Sequence, residues 1–579
     1  MQKTRLLIVI FLLTFPASAQ QRAPQAPSPH FQKGVVALQK GQFDTAINEL
    51  QIAAKESPKN ALIHLALGMA QGGKGYFESA AFSFRNALKL QPALYDAQIG
   101  LGQALQSAKD LPGAITAYQQ AAKLRPRDPQ PRFLAGAVLQ QKNDAEGALA
   151  EYREAARLAP RNAEIHAAIG FVLAAKQAFP EAITAFEKSV KLNPKAADAW
   201  FYLGTARWFT NDAKGAAAAL RQSVNLVPGN PEGHYYLGLV LTKTGDTAAA
   251  LKELNEASRL APNAPETYLA LGRARQQDDD LDGAVEAFRA AIRLKPDYVE
   301  AYNDLGLALV NQRDPDGAIA TFNEALRYAA NDPISTHNLG LAYLQKGDLN
   351  AAVAQYNRLI TLVPNDAEAH YNLALALKQK DDLEGAVTAL KQALALTNTL
   401  PEAHYTLGVI YLQQAKLEEA AGSFRAALAL KADYAEAHYT LGTVLQQQNK
   451  TDEAIAAVRA ALAINPDAAE FHNTLGTALR QKGETEAARA EFQEAARLNK
   501  IKSNQQAATF AYNTALARLK EGKPDEAVTL LQDAVAKNPA HAQAYWQLAK
   551  VFKQQGKGAE SASAYAKAKA LDARVKPLP

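Results

Sequence analysis

Apolar positions along this chain fall in paired stretches of about a dozen residues, each spaced at three and four, and polar breaks separate them. That spacing predicts amphipathic helices, and the pairing predicts helix-turn-helix units. The pair recurs every 34 residues on a glycine: Gly34, Gly68, Gly102, Gly136, Gly170, Gly204, Gly238, Gly272, Gly306 and Gly340. Ala374 takes one turn in the column, which resumes at Gly408, Gly442 and Gly476. A fixed period of this length means one supersecondary unit copied many times. Such units bury their apolar faces against their neighbours, which lets a chain of 579 residues fold without one oversized core.

Further columns keep fixed offsets from the glycine. Trp200 precedes Leu203-Gly204, Tyr302 precedes Leu305-Gly306, and His370 precedes Leu373-Ala374. Twelve residues past the slot stands alanine, as at Ala46, Ala80, Ala114, Ala148, Ala182 and Ala527. Four further on is a bulky apolar residue, such as Phe84, Tyr118, Phe186, Phe288, Phe322, Tyr356 or Phe492, then a small one, as at Ala87, Ala121, Ala291 or Ala427. The small residues predict close helix approach, with each ring filling the notch that a neighbour's small residue leaves. Gly245-Asp246 and Gly347-Asp348 predict a left-handed stop to one helix and a cap for the next. Prolines such as Pro58, Pro92, Pro126, Pro160 and Pro194 close many units, and Pro231-Glu232, Pro265-Glu266 and Pro401-Glu402 open new ones with a carboxylate at the positive helix end. Ala330, Asn398 and Ala432 replace the closing proline without breaking the period.

These columns resemble the tetratricopeptide repeat: aromatic-x-x-Leu-Gly, then Ala-x-x-x-Phe, then Ala, then Pro. The resemblance covers nearly everything after residue 27, in sixteen units. It implies an all-α fold, an α-solenoid winding as a right-handed superhelix of helix-turn-helix repeats, with the first helix of each unit lining a concave face. Fourteen consecutive repeats are expected over 27–498, then a longer connection or hinge at 499–507, where the period grows by five residues. Two C-terminal repeats over 508–574 and a tail at 575–579 follow.

Composition narrows the function. Charged residues make 21% of the chain and the net charge is only +5, with both signs interleaved, so the basic stripe that nucleic acid requires is missing and nucleic acid is not an expected partner. Cysteine is absent, which excludes disulfides, thiolate metal sites and cysteine nucleophiles. Lys3 and Arg5, the apolar run Leu6 to Phe15, and Ala17-Ser18-Ala19 read as a secretory signal peptide over 1–19, cut before Gln20. A Gln/Pro-rich lead-in, 20–29, follows. The expected destination is periplasmic or secreted, with no membrane span in the mature chain.

Candidate chemistry is sparse. His30, His64, His166, His234, His370, His404, His438 and His472 share one column, but copies in stacked hairpins lie roughly 10 Å apart, too far to share a metal. They are expected to pack, as Trp200, Tyr268 and Tyr302 do in the same slot. No phosphate loop, His-Glu-x-x-His or nucleophile elbow occurs, so no catalytic residue, metal or cofactor is expected. Binding is the expected work. An aromatic stretch on the first helices comprises Phe171, Phe201, Trp208, Phe209 and Tyr235, rigid groups of the kind that anchor interfaces. A polar ladder combines Tyr371, Tyr405 and Tyr439 with Gln345, Gln379, Gln413, Gln447 and Gln481, suited to an extended peptide or a polysaccharide. By resemblance to relatives that clamp a terminal carboxylate, Asn513, Lys520, Lys550 and Lys553 are candidate carboxylate contacts. The expected function is a non-enzymatic scaffold for proteins or extended peptides. The family's settings imply bacterial envelope assembly or secretion. The alternative is a carbohydrate-associated protein in exopolysaccharide export or an interaction arm related to glycosyltransferases. Self-association through half-exposed terminal units is a further expectation.

Overall fold

The computed structural model describes residues 28–578. The signal peptide expected at 1–19, and the lead-in before Ser28, lie outside the described residues. All regular structure among the described residues is α-helical, in 31 helices from Pro29–Gln39 to Gly558–Leu571. They form two compact units, one through residue 312 and one from residue 313. Within each unit consecutive helices pack as hairpins, and the hairpins stack side by side. Each repeat takes its name from the residue in its glycine slot.

The turn inside each hairpin is built one way. Seven residues past the slot the backbone is left-handed, at Gly41, Gly75, Gly245, Gly347 and Gly483, but also at Lys109, Asn143, Gln177, Asn211, Asp279, Asp381 and Ala415. Tertiary packing therefore imposes positive φ even where no glycine favours it. The next residue caps the second helix. Asp144 accepts from the Gly147 backbone N–H at 2.9 Å and Asp348 from that of Ala351 at 3.1 Å.

The glycine notch receives the repeat's own second helix. A Cβ on Gly272 would stand 2.4 Å from the Phe288 ring, and one on Gly170 would stand 2.6 Å from Phe186. The same rings reach the following repeat, since a Cβ on Gly100 would lie 2.5 Å from Phe84. Each ring is thus wedged between its own first helix and the next one, where the sequence suggested a neighbour's notch alone. Phe186, Phe288, Phe322 and Phe424 are fully buried in consequence. Stacking register is marked on the surface by pairs from the end of one first helix to the start of the second helix before it. These include Lys74–Asp44 at 2.6 Å, Lys346–Asp316 at 2.8 Å and Lys482–Asp452 at 2.9 Å.

One expectation is corrected. The connection placed at 499–507 is not a loop: a single helix of 36 residues, Thr485–Lys520, runs through it. This stretch contains neither proline nor glycine, so nothing in it stops a helix. The helix serves as second helix of the Gly476 repeat and first helix of the Ala515 repeat. Near the end of the chain, Trp546 Nε1–H donates to the Lys576 carbonyl at 2.9 Å and ties the tail to the last first helix.

Candidate partner-binding groove

The histidine column is a set of fasteners. His64, His166, His438 and His472 each place Nε2 about 3 Å from the carbonyl oxygen six residues earlier, that of Pro58, Pro160, Ala432 and Pro466. Trp200 Nε1–H does the same to Pro194 at 2.9 Å. A carbonyl only accepts, so the ring N–H satisfies an acceptor at the closing turn and locks the entry of the first helix. In three repeats the other nitrogen meets a carboxylate of the second helix at 2.6 Å: His30 with Glu49, His234 with Glu253, His472 with Glu491. Burial pulls the His472 imidazole down, but Glu491, the Pro466 carbonyl and Glu494 together lift it above its ordinary value.

The first helices Ala163–Ala175, Ala197–Phe209, Pro231–Thr244 and Pro265–Gln277, with Gln140 at the end of the helix Gln130–Gln141, line a groove of about 1280 Å³. Phe171, Phe201, Phe209 and Tyr235, named from the sequence, all border it. Trp208 does not: it packs on the core between its own helix, the second helix Ala213–Leu226 and the next first helix, with the Lys243 ammonium 5.1 Å from its ring. Phe201 is only 7% exposed, so it forms the floor, whereas Phe209 is 59% exposed at the rim. The sequence reading missed Phe179, Tyr202 and Tyr236. Tyr202 and Tyr236 each stand one residue past a named aromatic, and Phe179 starts a second helix rather than continuing a first.

The rings support one another. Phe171 meets Tyr202 edge-on at 4.5 Å, Phe201 meets Tyr202 at 5.0 Å and Tyr236 at 5.8 Å, and Tyr235 meets Tyr236 at 5.3 Å. Phe179 and Phe209 stack at 5.1 Å, tilted by 16°. Such mutual edge contacts hold an aromatic wall ready-shaped. Above it stand the carboxylates Asp198, Glu232 and Glu266, each in the first turn of its helix and exposed. Among the described residues no lysine or arginine lines the groove. Burial first, then the neighbouring Tyr236, Tyr298 and Glu266, push the Tyr235 phenol up to about 12, which keeps it a neutral donor at physiological pH.

The polar ladder is placed differently. Tyr405 lies against Phe424 at 5.6 Å and Tyr434 at 5.0 Å, Tyr439 stacks on Phe471 at 4.5 Å, and Tyr371 packs on the core. Gln379, Gln413 and Gln447 are exposed final residues of their helices. Gln446 donates to Gln481 at 3.1 Å, so adjacent repeats share an amide contact. Of the four carboxylate candidates, Asn513 borders a hollow of about 380 Å³ with Tyr512, Asn538 and His541, and Lys520, Lys550 and Lys553 do not. The Lys550 ammonium instead sits 5.6 Å over the Trp546 ring. Among the described residues no helix is long and apolar enough to cross a membrane, and no group of three or more metal-ligating side chains gathers.

Comparison with known proteins accords with this architecture. The family model described as TPR repeat matches residues 136–177, 340–381, 377–414 and 410–449. The one described as Tetratricopeptide repeat matches 31–71, 65–130, 172–231, 203–265, 269–333, 439–503 and 512–574. No curated protein matches the sequence. Among solved structures, MamA is 27% identical, covering 28% of this chain and 96% of its own, with a TM-score of 0.28. YrrB, described as a TPR protein with an unusual peptide-binding site, is 25% identical, covering 32% of this chain and 97% of its own at a TM-score of 0.31. Yeast Tom70 is 18% identical over 72% of this chain and 96% of its own, with a TM-score of 0.35. Since the tetratricopeptide models match more than half of its length, on the repeats that the helices form, the chain belongs to the tetratricopeptide repeat family.

Proposed function

We propose that this chain is an exported, non-enzymatic scaffold that holds an extended segment of a partner protein in the Phe171–Thr267 groove, in the periplasm or outside the cell, serving bacterial envelope assembly or secretion. The family and fold suggest protein–protein interaction. The observation that supports this reading best is the groove itself: an aromatic wall with three exposed carboxylates at its edge and, among the described residues, no lysine or arginine in its lining. Its complement is a segment alternating aromatic or long aliphatic side chains with lysine or arginine.

With a partner captured from an envelope extract, Phe209→Ala combined with Tyr235→Ala is expected to weaken binding by about 2 kcal/mol or more, roughly thirtyfold. Glu232→Lys with Glu266→Lys should weaken it further and remove its salt dependence. Undiminished affinity in both variants rules the groove out, and retention of the chain on polysaccharide but not on protein favours the carbohydrate reading. Export is read from the sequence: the mature protein should begin at Gln20 in the periplasmic or culture fraction. Cytosolic protein still beginning at Met1 ends that part of the proposal.

A further inference from the structure

Two columns of the repeat report whether a neighbour is stacked on a hairpin. The residue five before the glycine slot faces the preceding second helix. Phe471, at 4% exposure, packs there on Ile455 and Val458. From Ile63 to Ala544 this position is buried in every repeat but one. The exception is Phe510, 75% exposed. The bulky residue sixteen past the slot faces the next first helix. It is buried from Leu50 to Val458 and at Leu531, yet half-buried at Phe492. Outside these two, only the first repeat (Pro29) and the last (Tyr565) show such exposure, each having no further hairpin on that side among the described residues. The stack therefore carries an internal end at the Gly476 repeat and an internal beginning at the Ala515 repeat. The continuous helix Thr485–Lys520 produces both, because it holds the two hairpins apart where a turn would fold one onto the other.

We propose that a second copy of this chain covers both faces. The surface that Phe492 lacks is a first helix with an apolar residue five before its slot, and the surface that Phe510 lacks is a second helix bearing a bulky ring. Each copy carries both. Phe492 and Phe510 are eighteen residues apart on one helix, about five full turns or roughly 27 Å, so they share a stripe. Between them that stripe holds Ala496, Asn499, Ser503 and Gln506, all exposed and none charged. Two such helices laid antiparallel put Phe510 of each against Phe492 of the other. This closes two ordinary repeat junctions by one two-fold operation.

Light scattering over a range of concentrations tests it on the full chain. The wild type is expected to pass from monomer to dimer mass. Phe510→Glu should weaken this by about thirtyfold or more, and Phe82→Glu, an exposed ring elsewhere, should not. Because the chain has no cysteine, pairing can be read directly. Ala496→Cys with Gln506→Cys in one chain should oxidise to a covalent dimer, and either change alone should not. A monomer mass at all concentrations, a disulfide within one chain, or crosslinking by Ala496→Cys alone overturns the proposal. The second of these outcomes means that the helix breaks and the stack closes on itself.

Discussion

At the scale of single residues, the repeat is a set of slots whose demands the sequence meets unevenly. The glycine slot is strict, because the ring wedged into it leaves no room for a methyl group. Gly272→Ala is expected to cost about 1–3 kcal/mol by overpacking, read as a lower urea midpoint with the m-value preserved. The left-handed slot is looser. Ala415 occupies it at φ 57°, and Ala415→Gly should raise stability by about 0.5–1 kcal/mol, the relief of strain exceeding the added chain entropy. No gain in midpoint would mean that the strain is already absorbed. His472 adds a pH dependence. Its folded pKa lies above the unfolded value, so its contribution is full below about pH 6.5 and fades as pH rises through the folded pKa. The wild type should therefore lose part of its margin over His472→Asn between pH 5.5 and 8, and a constant gap between the two melting curves would remove His472 as the cause. The glycine, proline and histidine columns were legible because each repeats at fixed spacing. The left-handed slot was legible where it holds glycine, as at Gly245 and Gly347, whereas Gln177 or Ala415 gives no local hint of positive φ.

At the scale of elements, the helices were legible because period and caps agree, and the failures come where packing outvotes a local pattern. Trp208 and Phe209 stand seven and eight residues past Phe201, and the family resemblance places both on the inner face. The core formed with Ala216, Leu237 and Val240 draws the indole away and leaves only Phe209 at the groove. The long helix Thr485–Lys520 was misread for the opposite reason: the extra residues looked like an insertion in a turn, although the missing proline and glycine already favoured a helix. A proline at Ser503 discriminates the two states. Within a helix it costs about 3 kcal/mol or more, by a lost hydrogen bond and a ring clash, whereas in a loop it is nearly neutral. Ser503→Pro should thus lower the helical signal and the thermal midpoint of the full chain. An unchanged midpoint would return 499–507 to the status of a loop.

At the scale of the molecule, the helix contacts among the described residues run within a repeat or to the next one, and the proposed binding and the stability should both follow from them. A groove lined by five consecutive first helices can be shaped without any residue reaching across the fold, so its aromatic wall depends on a short run of neighbouring repeats. Stability should obey the same rule, as a sum of repeat and junction terms. Phe186 is the sharpest probe, being fully buried, lodged in the Gly170 notch and in edge contact with Phe171. Phe186→Ala is expected to cost about 3–5 kcal/mol locally. Hydrogen exchange should then lose protection in the Gly136, Gly170 and Gly204 repeats and in the groove wall that rests on them. The Gly34 and Gly68 repeats of the same compact unit should keep theirs, because no junction term links them to the cavity. The partner's affinity should fall in parallel, although Phe186 does not border the groove. Loss of protection throughout residues 28–312 would instead show one cooperative block, and the groove would then owe its shape to the entire unit.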